Sequence, residues 1–196
     1  MSYSIITISR QYGSGGREIG TQLADRLGIP FYDKVLCEEA AKRSGLDPTF
    51  LELAERREGR KLAYQLQLPG APFRLSLDDQ AFLALAAAIR RLAEQGPCIL
   101  VGRGANRILS DRKDALHVYL YADRQTRLKR IVEQYGVPAQ QAEKVLQDTD
   151  RARAVYLKEY TDQVMGHSEN YHLCLDSGAL GIEHTVRILE AVYRIA

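Results

Sequence analysis

One short run constrains this chain more than any other: ISRQYGSGGREIG, residues 8 to 20. It places four glycines within residues 13 to 20, between a strand-like apolar entry and an apparently helical continuation. Such a turn lets successive backbone N–H groups converge on one point. The helix that follows aims its unpaired N–H groups and the positive end of its dipole at the same place. The stretch is therefore read as an anion-binding loop, with Gly13, Ser14, Gly15 and Gly16 forming the cradle. The plainer alternative is a glycine-rich turn between strand and helix. The strand context and the neighbouring Arg17 favour the cradle.

The phosphate-loop pattern G-x-x-x-x-G-K-[ST] ends in a lysine that this chain lacks. An ungapped match puts Arg10 at the first glycine, Gly15 at the second, Gly16 at the lysine and Arg17 one residue later. A one-residue shift puts Arg17 at the lysine and Glu18 at the hydroxyl position. Both alignments stay open. In either, Arg17 is expected to supply the missing charge, although a guanidinium meets phosphate with a different geometry from an ammonium. Ser14 and Glu18 are the candidates near a magnesium ion, and no metal-ligand set is assigned.

Five short apolar segments read as strands: Ser4 to Ser9, Pro30 to Tyr32, Cys98 to Val101, Leu116 to Tyr121 and Tyr171 to Asp176. Helical patterns lie between them. Ile19, Leu23 and Leu27 recur every four residues before Gly28; Phe82, Leu85, Ile89 and Leu92 stripe a helix over Asp78 to Gln95; Ile182, Val186 and Leu189 mark a last helix. Nearly continuous apolar strands alternating with helices imply an α/β fold, a parallel five-stranded sheet flanked by helices with right-handed crossovers. Two regions depart from this rhythm. Residues 36 to 76 begin polar and helical, with Asp47-Pro48 as cap and first turn, then reach the turn-rich LPGAPF at 68 to 73, expected to be mobile. Residues 123 to 165 are dense in arginine and tyrosine. The expectation is a single domain over 1 to 196, carrying a helical acceptor-binding excursion at 36 to 95 and a lid-like region at 123 to 165.

Charge and composition remove several classes of function. The 27 basic side chains nearly cancel 25 acidic ones, leaving +2, without the basic excess or run that non-specific nucleic-acid binding needs. No apolar stretch approaches a membrane span, and no signal-peptide pattern is visible. Cys37, Cys98 and Cys174 are far apart and the four histidines are scattered, so structural zinc is not expected and a reduced, cytoplasmic protein is.

At this point the chain resembles the cytidylate kinase-like branch of the P-loop nucleoside monophosphate kinases. The loop at 8 to 20 followed by RLGIPFYDK is similar to that branch's variant loop, in which the lysine is absent and an arginine follows the glycines. ILVGRGA, VYLYADRQTRLKR, DTDRAR and HLCLDSGALGIEHTV resemble, in turn, the strand ending in Gly-Arg-Asp, the next strand with its helix, the monophosphate-binding Asp and Arg, and the last strand and helix. Gly104 and Leu146 stand where ordinary cytidylate kinases have a base-reading aspartate and a further arginine.

The resemblance implies phosphoryl transfer from ATP with Mg²⁺ to a nucleoside monophosphate, CMP or dCMP first; the charge and hydropathy above set aside a nucleic-acid or membrane partner. It implies Arg17, Arg103, Arg127 and Arg153 in catalysis. Gly13, Ser14, Gly15, Gly16, Arg17, Glu18 and Arg130 are implied for the ATP phosphates, and Asp33, Arg103, Asp150 and Arg153 for the acceptor. Read from the residues alone, arginines drawn from separate segments suit charge spread over a transferred phosphoryl group. Arg103 sits at a strand end, where ligands bind in open α/β sheets. Arg127 and Arg130 share a helix face, as solvated arginines also do, and Asp150 with Arg153 could be a plain surface pair. Two other readings stand beside this one: a kinase of the same fold for another small acceptor, and a nucleotide-binding sensor or scaffold with little turnover.

Overall fold

The computed structural model describes residues 3–53 and 75–195. The LPGAPF stretch falls outside the described residues. Strands β1 (Ile5–Arg10), β2 (Phe31–Tyr32), β3 (Cys98–Val101), β4 (Ala115–Tyr121) and β5 (Leu173–Asp176) pair in the order β2-β3-β1-β4-β5, every pairing parallel. All five expected strands are present, within a residue or two at their ends. The helices are α1 (Gly16–Leu27), α2 (Val35–Ser44), α3 (Pro48–Leu53), α4 (Leu77–Gln95), the short α5 (Ala105–Ile108), α6 (Arg124–Glu133), α7 (Ala139–Thr161) and α8 (Ser177–Ile195).

The period-two alternation along β1 divides the core between the two sheet faces. Ile5 packs with Cys98 and Leu100 under α2, α3, α4 and α5, while Ile6 and Ile8 pack with Ile99, Val101, Leu116, Val118 and Leu120 against α1 and α8. Helix starts follow local chemistry. Ser76 and Asp79 form a reciprocal capping box for α4, and Asp47 Oδ1 accepts the Phe50 N–H at 3.0 Å for α3. Gly28 ends α1 with φ 66°.

Topology places the site. The connection after β1 runs one way across the sheet to β2, and the connection after β3 runs the other way, over β1, to β4. Neighbouring parallel strands whose crossovers diverge leave a crevice at their carboxyl ends. Both the glycine loop and Arg103 emerge there.

One polar pair is buried on the first sheet face. Thr7 Oγ1 lies 2.8 Å from His117 Nδ1 across the β1–β4 register, and His172 stacks on His117 at 4.9 Å. Burial, with His172 adding to it, lowers the His117 pKa from 6.5 to about 4. The unfolded imidazole takes its proton first, so this contribution is intact above pH 6.5 and is lost as pH falls toward 4. Urea midpoints followed from neutral pH into that window should decline in the wild type and decline less in His117→Asn. Parallel declines would contradict the assignment.

Candidate active site

The loop between β1 and α1 owes its shape to two glycines. Gly13 and Gly15 have φ of 78° and 79°, which only glycine adopts cheaply. A Cβ at Gly13 would lie 2.9 Å from the Arg127 carbonyl oxygen, and one at Gly15 would lie 2.5 Å from Ile182 Cδ1. A chain that turns its N–H groups toward an anion turns its carbonyls away from it. Each carbonyl from Arg10 to Gly15 has a donor. Arg153 Nη1 donates to Arg10 O (3.2 Å), Ser14 Oγ to Gln11 O (2.9 Å) and Arg127 Nη1 to Tyr12 O (3.3 Å). Arg130 Nη1 donates to Gly13 O (2.8 Å), Ser177 Oγ to Ser14 O (2.6 Å) and the Ile19 N–H to Gly15 O (2.9 Å). The first-turn N–H groups of α1 have no carbonyl to pair with inside the helix, and so remain for a ligand.

In front of the loop lies a cavity of about 770 Å³. Of the residues expected at the site, Gly13, Gly15, Gly16, Arg17, Glu18, Asp33, Arg103 and Arg153 line it. Arg17 reaches across its mouth: Nε is 3.4 Å from Asp33 Oδ2, and its side chain keeps 62% of its surface exposed. Arg103 is buried and held at φ 57° between Gly102 and Gly104, themselves at 73° and 70°. A non-glycine residue there is strained, and its guanidinium is held at the C-terminal end of α3. Nη1 donates to Leu51 O (2.8 Å) and Nη2 to Glu52 O (3.1 Å).

The remaining expected residues, Ser14, Arg127, Arg130 and Asp150, are not on the cavity wall; Ser14 braces the loop from within, and the other three stand behind it and hold its backbone. Arg127 and Arg130 do share one face of α6, and that face meets the loop. Ser177, the first residue of α8, does the same, and beside it Asp176 Oδ1 accepts the Gly178 and Ala179 N–H groups. Tyr156 and Tyr160 pack with Phe82, 6.2 and 4.6 Å between ring centroids. Several wall residues were not singled out from the sequence: Tyr12, Lys34, Glu52 and Tyr135. Lys34 pairs with Glu52 (3.2 Å), and Tyr12 lies 5.7 Å from Tyr135 and 5.6 Å beneath the Arg153 guanidinium. Position beside the loop and beside Asp33 was the only available signal for Tyr12 and Lys34. Tyr135 had none.

A parallel sheet in this order, with a glycine loop after its central strand and an arginine at the adjacent strand end, defines a P-loop kinase fold. The chain belongs to the cytidylate kinase-like family, whose sequence model matches residues 5–179. Among solved structures it is similar to an uncharacterized protein from Eubacterium ventriosum (25% identity, 98% of this chain and 99% of that one, TM-score 0.75). It also shares its fold with shikimate kinase from Acinetobacter baumannii in complex with shikimate (16%, 98% and 94%, TM-score 0.55) and with a sugar kinase from Janibacter sp. (14%, 99% and 96%, TM-score 0.54). No curated protein matches it. Among the described residues, no helix is long and apolar enough to cross a membrane.

The loop geometry separates two glycine substitutions. Gly13→Ala meets backbone and positive φ together, and is expected to cost about 2 kcal/mol or more in urea unfolding. Gly16→Ala meets the root of the Arg10 side chain, Cγ at 3.0 Å and Cβ at 3.1 Å, but no backbone atom and no positive φ, and is expected to cost less than Gly13→Ala. Equal costs would contradict the described loop.

Proposed function

We propose that this protein transfers the γ-phosphoryl group of ATP to a nucleoside monophosphate, with CMP and dCMP the acceptors expected first. The observation that carries the proposal is the single cavity faced both by the glycine loop and by Arg17, Arg103 and Arg153, cations from three separate segments. Transfer of this kind needs positioning and charge stabilisation more than covalent help from the protein. Backbone N–H groups of Gly13, Gly15 and Gly16 bind the donor phosphates, and Arg17, swung from Asp33 to the nucleotide, provides the cation a lysine provides elsewhere. Arg103 and Arg153 face the acceptor and the transferred group. Arg127 and Arg130 act at one remove, through the loop they hold.

Glu18, in the first turn of α1, and Asp33 are hard oxygen donors on the cavity wall, a set that fits magnesium. Bound there, the ion would neutralise phosphate charge as it develops. Asp33 then has a second task, since a carboxylate beside an acceptor orients it by accepting hydrogen bonds from its hydroxyl groups.

One observation favours a second reading, another small acceptor. Gly104 sits at φ 70°, and a Cβ there would lie 3.0 Å from Thr161 Cγ2. A base-reading aspartate at that position is therefore disfavoured by the backbone and by the space around it.

ADP release from ATP and Mg²⁺ should be measured against CMP, dCMP, UMP, AMP, GMP and a hydroxyl acceptor such as shikimate or glucose. Release that depends on a nucleoside monophosphate, with kcat/KM falling on the order of a hundredfold in Arg17→Ala, is the expected result. Release with the hydroxyl acceptor alone would select the second reading. ATP binding without release for any acceptor would leave a nucleotide-binding sensor or scaffold.

A further inference from the structure

We infer that Asp150 is a positioning residue for the phosphate loop and does not touch the acceptor. This rests on the loop's reading as a nucleotide-phosphate site. Both carboxylate oxygens are already committed to the loop's surroundings: Oδ1 accepts the Tyr12 N–H at 2.7 Å, and Oδ2 accepts Arg127 Nη1. Arg127 returns to the same residue, donating to Tyr12 O at 3.3 Å. One ion pair thus holds both the N–H and the C=O of a single loop residue. That fixes the two peptide planes entering the Gly13 turn.

The pair cannot be surrendered cheaply. Arg127 is buried, and the Asp150 side chain keeps only 18% of its surface exposed. Withdrawing the carboxylate toward an acceptor would strand a buried guanidinium, which is far more costly than losing an exposed partner. Asp150 is also absent from the cavity wall, whereas Arg153, one turn further along α7, is on it.

The ring of Tyr12 binds the same hub from the other side. It packs on the small apolar cluster of Ile131, Ala142 and Leu146 that joins α6 to α7. Ala142, Leu146, Asp150 and Arg153 recur at helical spacing, so one face of α7 carries first apolar contacts, then the carboxylate, then the guanidinium. Leu146 here packs the helical hairpin together. The hairpin and the loop therefore form one mechanical unit, and Asp150 is the joint between them.

A carboxylate that shapes the donor site and one that binds the acceptor differ in what their loss does. Asp150→Ala and Asp150→Asn should be compared with the wild type by ATP titration, by acceptor KM at saturating ATP, and by hydrogen exchange at the Tyr12 amide. The expected result for Asp150→Ala is ATP affinity weakened roughly tenfold or more, the scale of a lost charge-assisted hydrogen bond, with acceptor KM unchanged. The Tyr12 amide should lose protection by a larger factor than urea unfolding accounts for. Asn keeps an acceptor for the Tyr12 N–H and should fall between. An acceptor KM that rises while ATP affinity holds would overturn the inference, as would an unchanged ATP affinity and Tyr12 amide. If the wild type binds no ATP, the nucleotide reading fails. The positioning role is then judged on the Tyr12 amide alone, and equal exchange in wild type and Asp150→Ala overturns it.

Discussion

A glycine loop that turns its N–H groups to one side must find partners on the other for its carbonyls, and that requirement organises this protein. Six consecutive carbonyls, Arg10 to Gly15, are supplied from four directions: α1, the loop itself, the α6–α7 hairpin and the start of α8. A buried carbonyl without a donor costs on the order of 1–3 kcal/mol, so an unsupported loop of this length would not hold one shape. The arginines of the hairpin supply three of these donors.

This arrangement bears on the lysine that the phosphate-loop pattern expects. A lysine works from the front, as a point charge on the phosphates. Here the cations are divided. Arg17 is in front, exposed and parked on Asp33, while Arg130 is behind, its guanidinium also 3.2 Å from where a Gly15 Cβ would stand. Arg153 serves both sides, lining the cavity and donating to Arg10 O. Division of the charge places the loop's geometry under the control of α6 and α7. It also ties the segment read as lid-like closely to the glycine loop.

The sheet and its order of elements were legible because their signals are local. Short apolar runs such as CILV and LHVYLY, bounded by turn residues, match strands buried on both faces, and Ile19, Leu23 and Leu27 match one helix stripe. The glycine loop was legible because Gly13 and Gly15 answer to backbone conformation, which leaves its mark in residue type. Side-chain roles were less so. Nothing in DTDRAR says whether Asp150 faces a ligand or the Tyr12 amide, since that depends on a contact 138 residues away in sequence. The wall residues Lys34, Glu52 and Tyr135 are likewise brought to the cavity by the fold, and no motif announces them.

Everything proposed for this site depends on the loop's N–H groups. Two-dimensional ¹H–¹⁵N spectra recorded through an ATP titration with Mg²⁺ would report on them one by one. Saturable shifts that are largest at the amides of Gly13, Gly15, Gly16 and Arg17 are expected. Saturation with the largest shifts elsewhere, or no shift at these four amides, would contradict a phosphate-binding loop.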